Sequence, residues 1–391
     1  GVSAMTSPVT SPPTTSTPVS SADILGNCKR IVIKIGSSLL VDPETGRVHG
    51  EWLKAFAEDV ARCRARGQEV TIVSSGAIAI GRRHLNLSTG FLRLEESQAA
   101  AATGMLRLAH AYEEALARHD VTLGQILLTL DDTESRRRFL NARSTLNTLL
   151  KAGAVPLINE NDTVATDEIR FGDNDRLAAR VAAMISADAL ILLSDIDGLY
   201  TTDPASNADA VHVPVVDEIT PEIDAMAGKA ISSVGTGGMV TKLAAARVTM
   251  SAGCRMVITK GYDDHPIRLL EGGARCTWFM PTNSPRAARK EWIAGSLKPL
   301  GSITIDAGAE KALASGNSML PAGIVSVDGT FDRGDPIVVK GISDHELARG
   351  ISAYSSADID LIKGHNTSEI EALLGYRGRD EVIHRDDLAI L

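Results

Sequence analysis

Ile31-Val32-Ile33-Lys34-Ile35-Gly36-Ser37-Ser38 is the stretch on which the fold turns. Its first five residues have strand length, and four of them are β-branched and apolar. Such a near-continuous run reads as a strand buried on both faces, the habit of parallel sheets sandwiched between helices. Lys34 is the anomaly. A lysine in an apolar strand needs an anionic partner, or must sit at an edge and reach water along its stem. The small residues after it would let backbone N–H groups approach a phosphate. On these residues alone the two readings of Lys34 are evenly matched.

The same alternation repeats downstream. Residues 51–66 have helical spacing (Trp52, Phe56, Val60, Cys63), and Val70-Thr71-Ile72-Val73 is a second buried strand running into Ser74-Ser75-Gly76. Residues 97–118 are Ala-rich and helical, 125–130 strand-like and 136–151 helical. Val155 to Asn159 is again a strand, 175–186 a helix and Ala189 to Leu193 a strand. Strands alternating with helices predict an α/β domain, an αβα sandwich around a mainly parallel sheet. Ligands of such sheets bind beyond the carboxyl ends of the strands. After about residue 295 the texture changes to short β-type runs near 302–305, 323–327, 336–339 and 348–353. Turn signals separate them, so a small all-β barrel is expected there.

Composition limits the function. Forty Lys and Arg against 49 Asp and Glu give a net charge of −9 in 391 residues, unlike a general phosphate-backbone binder. Aromatic residues are only 4%, which leaves little surface for stacking bases. No apolar run is long enough to span a bilayer, so no membrane association is expected. The four cysteines are scattered without a CxxC pair or a Cys/His cluster. They read as reduced thiols of a cytoplasmic protein rather than zinc ligands. From Thr6 to Ser21, 14 of 16 residues are Ser, Thr or Pro. Residues 1–26 are therefore expected to be a disordered tail, with neither a signal peptide nor a transit peptide.

Polar clusters gather at the predicted strand ends. Ser74-Ser75-Gly76-Ala77 alone is an ordinary strand-to-helix turn with a serine cap. Asn159-Glu160-Asn161-Asp162-Thr163 is denser, and Gly172-Asp173-Asn174-Asp175 follows just before a helix. Carboxylates and amides so placed suit a zwitterion: an Asp for an ammonium, an Asn for a carboxylate or a backbone. Ser194-Asp195-Ile196-Asp197-Gly198 ends another strand. Gly235-Thr236-Gly237-Gly238-Met239-Val240-Thr241-Lys242 then enters a helix and carries a lysine. That arrangement fits phosphate at a helix N-terminus, although it is neither a Walker A motif nor GxGxxG. His384-Arg385-Asp386 only looks like a protein-kinase loop, since no DFG exists in the chain.

Taken together these segments resemble the glutamate 5-kinase family of the amino-acid kinase superfamily, with a C-terminal PUA domain. The carrying stretches are VIKIGSSLL (32–40), VSSGAIAIG (73–81), GQILLT (124–129), FLNARSTL (139–146), VPLINENDTVAT (155–166), FGDNDRLAA (171–179), LLSDIDGLYTTDP (192–204) and GTGGMVTK (235–242). LPAGIVSVDGTFDRGD (320–335) and VIHRDD (382–387) are PUA-like. Beyond the tail over 1–26, the resemblance implies an amino-acid kinase domain over 27–290 and a PUA-like domain over 296–391.

It further implies ATP- and Mg²⁺-dependent phosphorylation of the side-chain carboxylate of L-glutamate, with the product feeding proline synthesis. By motif, Lys34 and Lys242 would touch the phosphates, and Ser75, Asp162 and Asn174 would hold glutamate. Ser194, Asp195 and the segment Thr236, Gly237, Gly238, Met239, Val240, Thr241 and Lys242 would bind ATP. Asp173 and Asp175 belong to the site, with Asp175 the organiser of the lysines. The family has Thr more often where Ser194 stands. Metal ligands in the chain are not assigned, because the family's metal is held largely by nucleotide phosphates. Feedback inhibition by proline and a homo-oligomer, dimer or tetramer, are implied as well.

Such chemistry is consistent with the residues. A carboxylate is already a nucleophile at neutral pH, so no general base is needed. Phosphoryl transfer asks chiefly for positioning and charge neutralisation. The competing readings are a related kinase acting on aspartate, for example, and an RNA-binding or RNA-modifying protein. Against RNA, residues 296–391 hold 9 Lys and Arg and 15 Asp and Glu, a balance of 9 − 15 = −6. All site candidates lie before residue 243, so the C-terminal unit is expected to be dispensable for the chemistry.

Overall fold

The computed structural model describes residues 19–163, 174–229, 238–295 and 298–391. Eight strands form the first sheet: β1 (Arg30–Ile35), β2 (Glu69–Ser74), β3 (Leu123–Leu128), β4 (Val155–Glu160), β5 (Ala189–Ser194), and, after the two-stranded ribbon β6 (Leu199–Tyr200) with β7 (His212–Val213), β8 (Val215–Val216), β9 (Arg255–Lys260) and β10 (Cys276–Phe279). Their order is β3-β4-β2-β1-β5-β9-β10-β8. Every pairing from β3 through β9 is parallel, and only β9–β10 is antiparallel.

β1 lies at the middle, between β2 and β5, and its alternation explains its composition. Ile31, Ile33 and Ile35 enter one core with Trp52, Phe56, Leu108 and Tyr112 of the helices Gly50–Ala65 and Leu94–Ala117. Val32 enters the other, with Leu146, Val181 and Leu243 of the helices Arg136–Lys151, Asn174–Met184 and Met239–Ser251. Helices cover both faces, so each strand must be apolar throughout. This is the expected αβα sandwich.

One helix crossing is unusually close. A Cβ on Gly81 would fall 1.7 Å from the Ala100 carbonyl oxygen, and one on Gly104 would fall 1.7 Å from that of Ala77. Helices Ala77–His84 and Leu94–Ala117 therefore touch backbone to backbone. Gly81→Ala should destabilise the chain by at least about 1–3 kcal/mol, the cost of overpacking with no side chain free to yield. A denaturant melt checks it, and an unchanged midpoint would refute the contact.

The tail departs from expectation. Ser21–Gly26 is a helix, capped by the Ser20 side chain accepting from the Asp23 N–H. Leu25 is fully buried and the Trp278 indole N–H donates to Ser21 Oγ at 2.9 Å. The Ser/Thr/Pro bias of the preceding run concealed a capping serine and an apolar anchor. The earlier tail residues, 1–18, lie outside the described part.

The C-terminal sheet orders β11 (Gly301–Ile305), β12 (Ile324–Gly329), β13 (Pro336–Lys340), β14 (Glu346–Ile351) and β15 (Leu388–Ile390) as β12-β11-β13-β14-β15. It has its own core around Ile303, Phe331, Ile337, Tyr354 and Ile383. Besides the expected strands it carries helices Ala307–Ala314, Ser356–Ile362 and Ile370–Leu374. A small apolar seam of Leu140, Ile293, Ile351 and Ala389 joins it to the first unit. Beside this seam Asp387, buried, accepts from Arg143 at 2.6 Å and Arg289 at 2.5 Å. Burial would raise the Asp387 carboxyl, but the two guanidiniums hold it below its ordinary value.

Candidate active site

Parallel strands place their carboxyl ends on one edge, and the predicted residues line up along it. Asp162 follows β4, Ser75 follows β2, Lys34 is near the end of β1 and Ser194 ends β5. Neighbouring strands are about 4.8 Å apart, so these positions span roughly 14 Å with Lys34 between the ends.

Lys34 is no edge residue. It pairs in register with Val73 on one side and Leu192 on the other, so its stem cannot lead to water past an open strand. It points into the face that carries Asn174–Met184 and Met239–Ser251, and its Nζ lies 2.8 Å from Asp175 Oδ1. Lys242 Nζ lies 3.1 Å from Asp175 Oδ2, and Thr241 Oγ1 donates to the same oxygen at 3.2 Å. All three charged residues are buried: Lys34 is 9%, Asp175 2% and Lys242 7% exposed. Burial alone would raise Asp175, but Lys34 and then Lys242 overcome it and lower its pKa to about 2. Two ammonium groups share one carboxylate, which holds both positive charges together at the edge where phosphate oxygens would meet them.

Local structure explains how the three meet. Asp175 sits in the first turn of its helix, where the helix dipole favours a negative charge. Lys242 sits near the start of its own helix, where the dipole disfavours a cation, so Asp175 is what makes the placement tolerable. Gly238 caps that helix with φ −54° and ψ −166° and no side-chain bond. Its first N–H groups are thus available to an anion.

On the β2 side, Asn174 Nδ2 donates to the Ser74 carbonyl and to Ser75 Oγ, each at 2.9 Å. Ser74 Oγ in turn bonds the Tyr112 hydroxyl at 2.8 Å, at the centre of a helix face with no exposure at all. Asn174 Oδ1 and Asn159 Nδ2 are buried without a hydrogen-bond partner among the described residues. An unmatched acceptor and an unmatched donor beside the strand ends suit a ligand with both polarities. Asp162 is 6% exposed and pairs with no cation among the described residues; burial raises its pKa to about 6. A buried carboxylate of that kind gains from an ammonium ligand.

On the β5 side, Ser194 is buried, its Oγ donating to Asp195 Oδ1 at 3.1 Å and accepting from the Ile196 N–H at 3.3 Å. Asp195 is exposed. Gly198 has φ +151°, and a Cβ there would strike Thr277 Oγ1 at 2.5 Å, so the turn admits only glycine. Met239 is buried and Val240 is 62% exposed, so the Val240 side chain points away and only its backbone is at hand. Asp173, Thr236 and Gly237 lie outside the described residues.

Among the described residues no three His, Cys, Asp or Glu side chains form a metal cluster. Asp175, the best-placed carboxylate, is taken by the two lysines. The described side chains do not themselves build a cage for Mg²⁺.

Thr241, named from the sequence as a nucleotide contact, also donates its hydroxyl to Asp175 Oδ2. Ser74 and Tyr112 were missed. The only signal for Tyr112 was a lone phenol in an Ala-rich helix, whose polar tip needs a partner when buried.

The amino acid kinase family model matches residues 29–260, the part that carries this edge, and the PUA domain model matches 301–374. A glutamate 5-kinase of Paramagnetospirillum magneticum is 63% identical over 366 residues, which is 94% of this chain and 99% of that one. The chain belongs to the glutamate 5-kinase family, within the amino acid kinases. A second member, from Rhodospirillum rubrum, is 60% identical over 92% of this chain and 96% of its own length. A third, from Rhodopseudomonas palustris, is 57% identical over 94% and 97%. The likeness to the family extends through both units and not the kinase part alone.

Proposed function

We propose that the chain transfers the γ-phosphoryl group of ATP to the side-chain carboxylate of L-glutamate, giving glutamyl 5-phosphate and ADP, the first step of proline synthesis. Family membership supports the reaction, and one observation of the structure carries the mechanism. The buried Lys34–Asp175–Lys242 array lies between a zwitterion-suited end of the edge and a phosphate-suited end.

Glutamate lies over β4 and β2 with its ammonium at Asp162 and its other polar groups at Asn174 and Ser75. ATP lies over β5 with its phosphates at the start of helix Met239–Ser251 and its remainder near Ser194 and Asp195. The glutamate carboxylate attacks the γ-phosphorus, the bond to the β-phosphate oxygen breaks, and ADP leaves with that electron pair. Lys34 and Lys242 bear on the oxygens that gain charge. Asp175 holds both ammonium groups in place beforehand, so little reorganisation is needed as the charge shifts. Mg²⁺ would supply further charge neutralisation when bound with ATP.

Proline, like glutamate, carries an ammonium group (a secondary one) and a carboxylate, so the Asp162 and Asn174 end is where it would act as an inhibitor. A homo-oligomer and a cytoplasmic location complete the reading.

An acyl phosphate reacts with hydroxylamine and a phosphate ester does not. Turnover in hydroxylamine should therefore yield the γ-hydroxamate of glutamate in step with ADP. ADP release from glutamate without hydroxamate would show that the acceptor is not the carboxylate.

The Asp162 carboxyl sets a pH dependence. Its pKa in the free protein is raised to about 6, and only the ionised form attracts the glutamate ammonium. Below about pH 6, kcat/KM for glutamate should fall by about tenfold per pH unit as the carboxylate is protonated. Asp162→Asn should abolish that limb. A limb unchanged in the variant would assign it to another group.

A further inference from the structure

The VIHRDD end of the chain lies near a second charged site, lined by none of the residues of the lysine array. A cleft of about 560 Å³ opens where the two units meet. Arg137, on the helix Arg136–Lys151, faces it from the kinase side, and Arg333, Arg377 and Arg379 face it from the C-terminal unit. Two carboxylates also line it, Asp332 and Asp358. Four guanidiniums and two carboxylates leave 4 − 2 = +2 across the two units, although residues 296–391, which supply all of these but Arg137, have a balance of −6.

The arginines are held close rather than scattered. Tyr354, 2% exposed, donates its hydroxyl to the Arg379 carbonyl, and a Cβ on Gly378 would meet that hydroxyl at 2.3 Å. The segment Arg377-Gly378-Arg379 is thus pressed onto a buried ring. Arg379 also reaches across the seam to donate to Ser144 Oγ. Arg333 is near enough to act electrostatically on Arg379 and on Tyr376.

The two lining carboxylates do not quench the excess, although Asp387 and Glu381 also act electrostatically on Arg379. Asp358 accepts from the Tyr376 hydroxyl at 2.6 Å. Among the described residues Arg137, Arg333 and Arg377 form no ion pair and no hydrogen bond, although the chain is rich in acidic groups. Like charges gathered in one concavity repel one another, and a bound anion relieves the repulsion.

We propose that this interdomain cleft binds a small phosphate monoester carrying a flat ring. A phosphate dianion matches the +2 excess and offers several oxygens to planar guanidinium forks arriving from different sides, where a carboxylate engages one fork. The cleft has the volume of a small-molecule site rather than of a lone ion. Tyr376, 48% exposed and fixed at its hydroxyl by Asp358, gives a ring a partner. Because Arg137 and the other three belong to different units, the ligand clamps the seam.

Calorimetric titration of the full chain with phenyl phosphate and with inorganic phosphate tests the site. Phenyl phosphate should bind the tighter of the two and raise the melting temperature. The double variant R333S/R377S, in exposed residues outside the candidate kinase site, should weaken phenyl phosphate by about tenfold or more through loss of two charged donors. Its kinase activity without the ligand should be unchanged. Lys242→Ala should bind phenyl phosphate as the parent does. Equal affinity in R333S/R377S, or loss of binding in Lys242→Ala, would place the anion elsewhere and overturn the proposal. A short RNA oligonucleotide that displaced phenyl phosphate at physiological salt would overturn it too, by making the cleft a nucleic-acid site.

Discussion

Asp175→Asn should lower kcat by about 10³, because it releases both lysines from one change, and loss of a single preorganised donor already costs about 10²–10³. The substitution keeps the size of the side chain and removes only its charge. Lys34 and Lys242, now without the carboxylate that lies 2.8 Å and 3.1 Å from them, repel one another at a buried position. Leaving such charges uncompensated costs about 3–5 kcal/mol of stability. Steady-state kinetics and a denaturant melt on the same preparation would report both effects, and glutamate KM should change little. A variant with near-parent kcat would remove the lysine array from the mechanism.

The same carboxylate marks the acid limit. Its folded pKa, lowered to about 2 from 3.8, lies below the unfolded one. A depressed acid contributes stability above its unfolded pKa and loses it as pH falls through the folded value. Asp175 should therefore contribute about 2 kcal/mol near neutrality, lost between about pH 4 and pH 2.

The second large effect separates the two ends of the site. Lys242→Ala should lower kcat by about 10²–10³ with modest change in glutamate KM, since its ammonium meets charge that grows as the phosphoryl group transfers. Asp162→Ala should instead raise glutamate KM by about tenfold to a hundredfold and leave ATP KM nearly alone. The substrate ammonium does not change charge during the reaction, so losing its partner weakens ground state and transition state alike. Two strands, β2 and β1, lie between β4, which leads to Asp162, and β5, over which ATP lies. If Asp162→Ala altered ATP KM and Lys242→Ala altered only glutamate affinity, the two ends would be reversed.

The legible part of the site was the part written in consecutive residues. Strands buried on both faces appear as apolar runs whatever their partners, so β1, β2, β4 and β5 could be read directly. Lys34 stood out because an apolar run makes a charge conspicuous, but its partner lies 141 positions away, at Asp175, and no local spacing joins the two. That the pair closes on Lys242, and that Thr241 turns to Asp175, depends on the packing of two helices on one face. Tyr112 and Ser74 illustrate the same limit: a buried hydroxyl pair is invisible until the helix and the strand are placed together.

β9 and β10 were not separated from their surroundings because one is a short mixed run and the other has only four residues. The helix Ser21–Gly26 was masked by composition, which reports the average of a segment and not its last anchored turn. His384-Arg385-Asp386 was rightly set aside as a kinase loop. Its neighbour Asp387 instead pins the C-terminal unit to Arg143 and Arg289, a role that only the assembled seam displays.

The most direct test of the account is ADP release measured in parallel with glutamate, aspartate, N-acetylglutamate, UMP, and bicarbonate with ammonia. A zwitterion-suited pocket at Asp162, Asn174 and Ser75 next to the lysine array predicts the highest kcat/KM with glutamate, and loss of that preference in Asp162→Ala. Faster release with aspartate or UMP than with glutamate would contradict it.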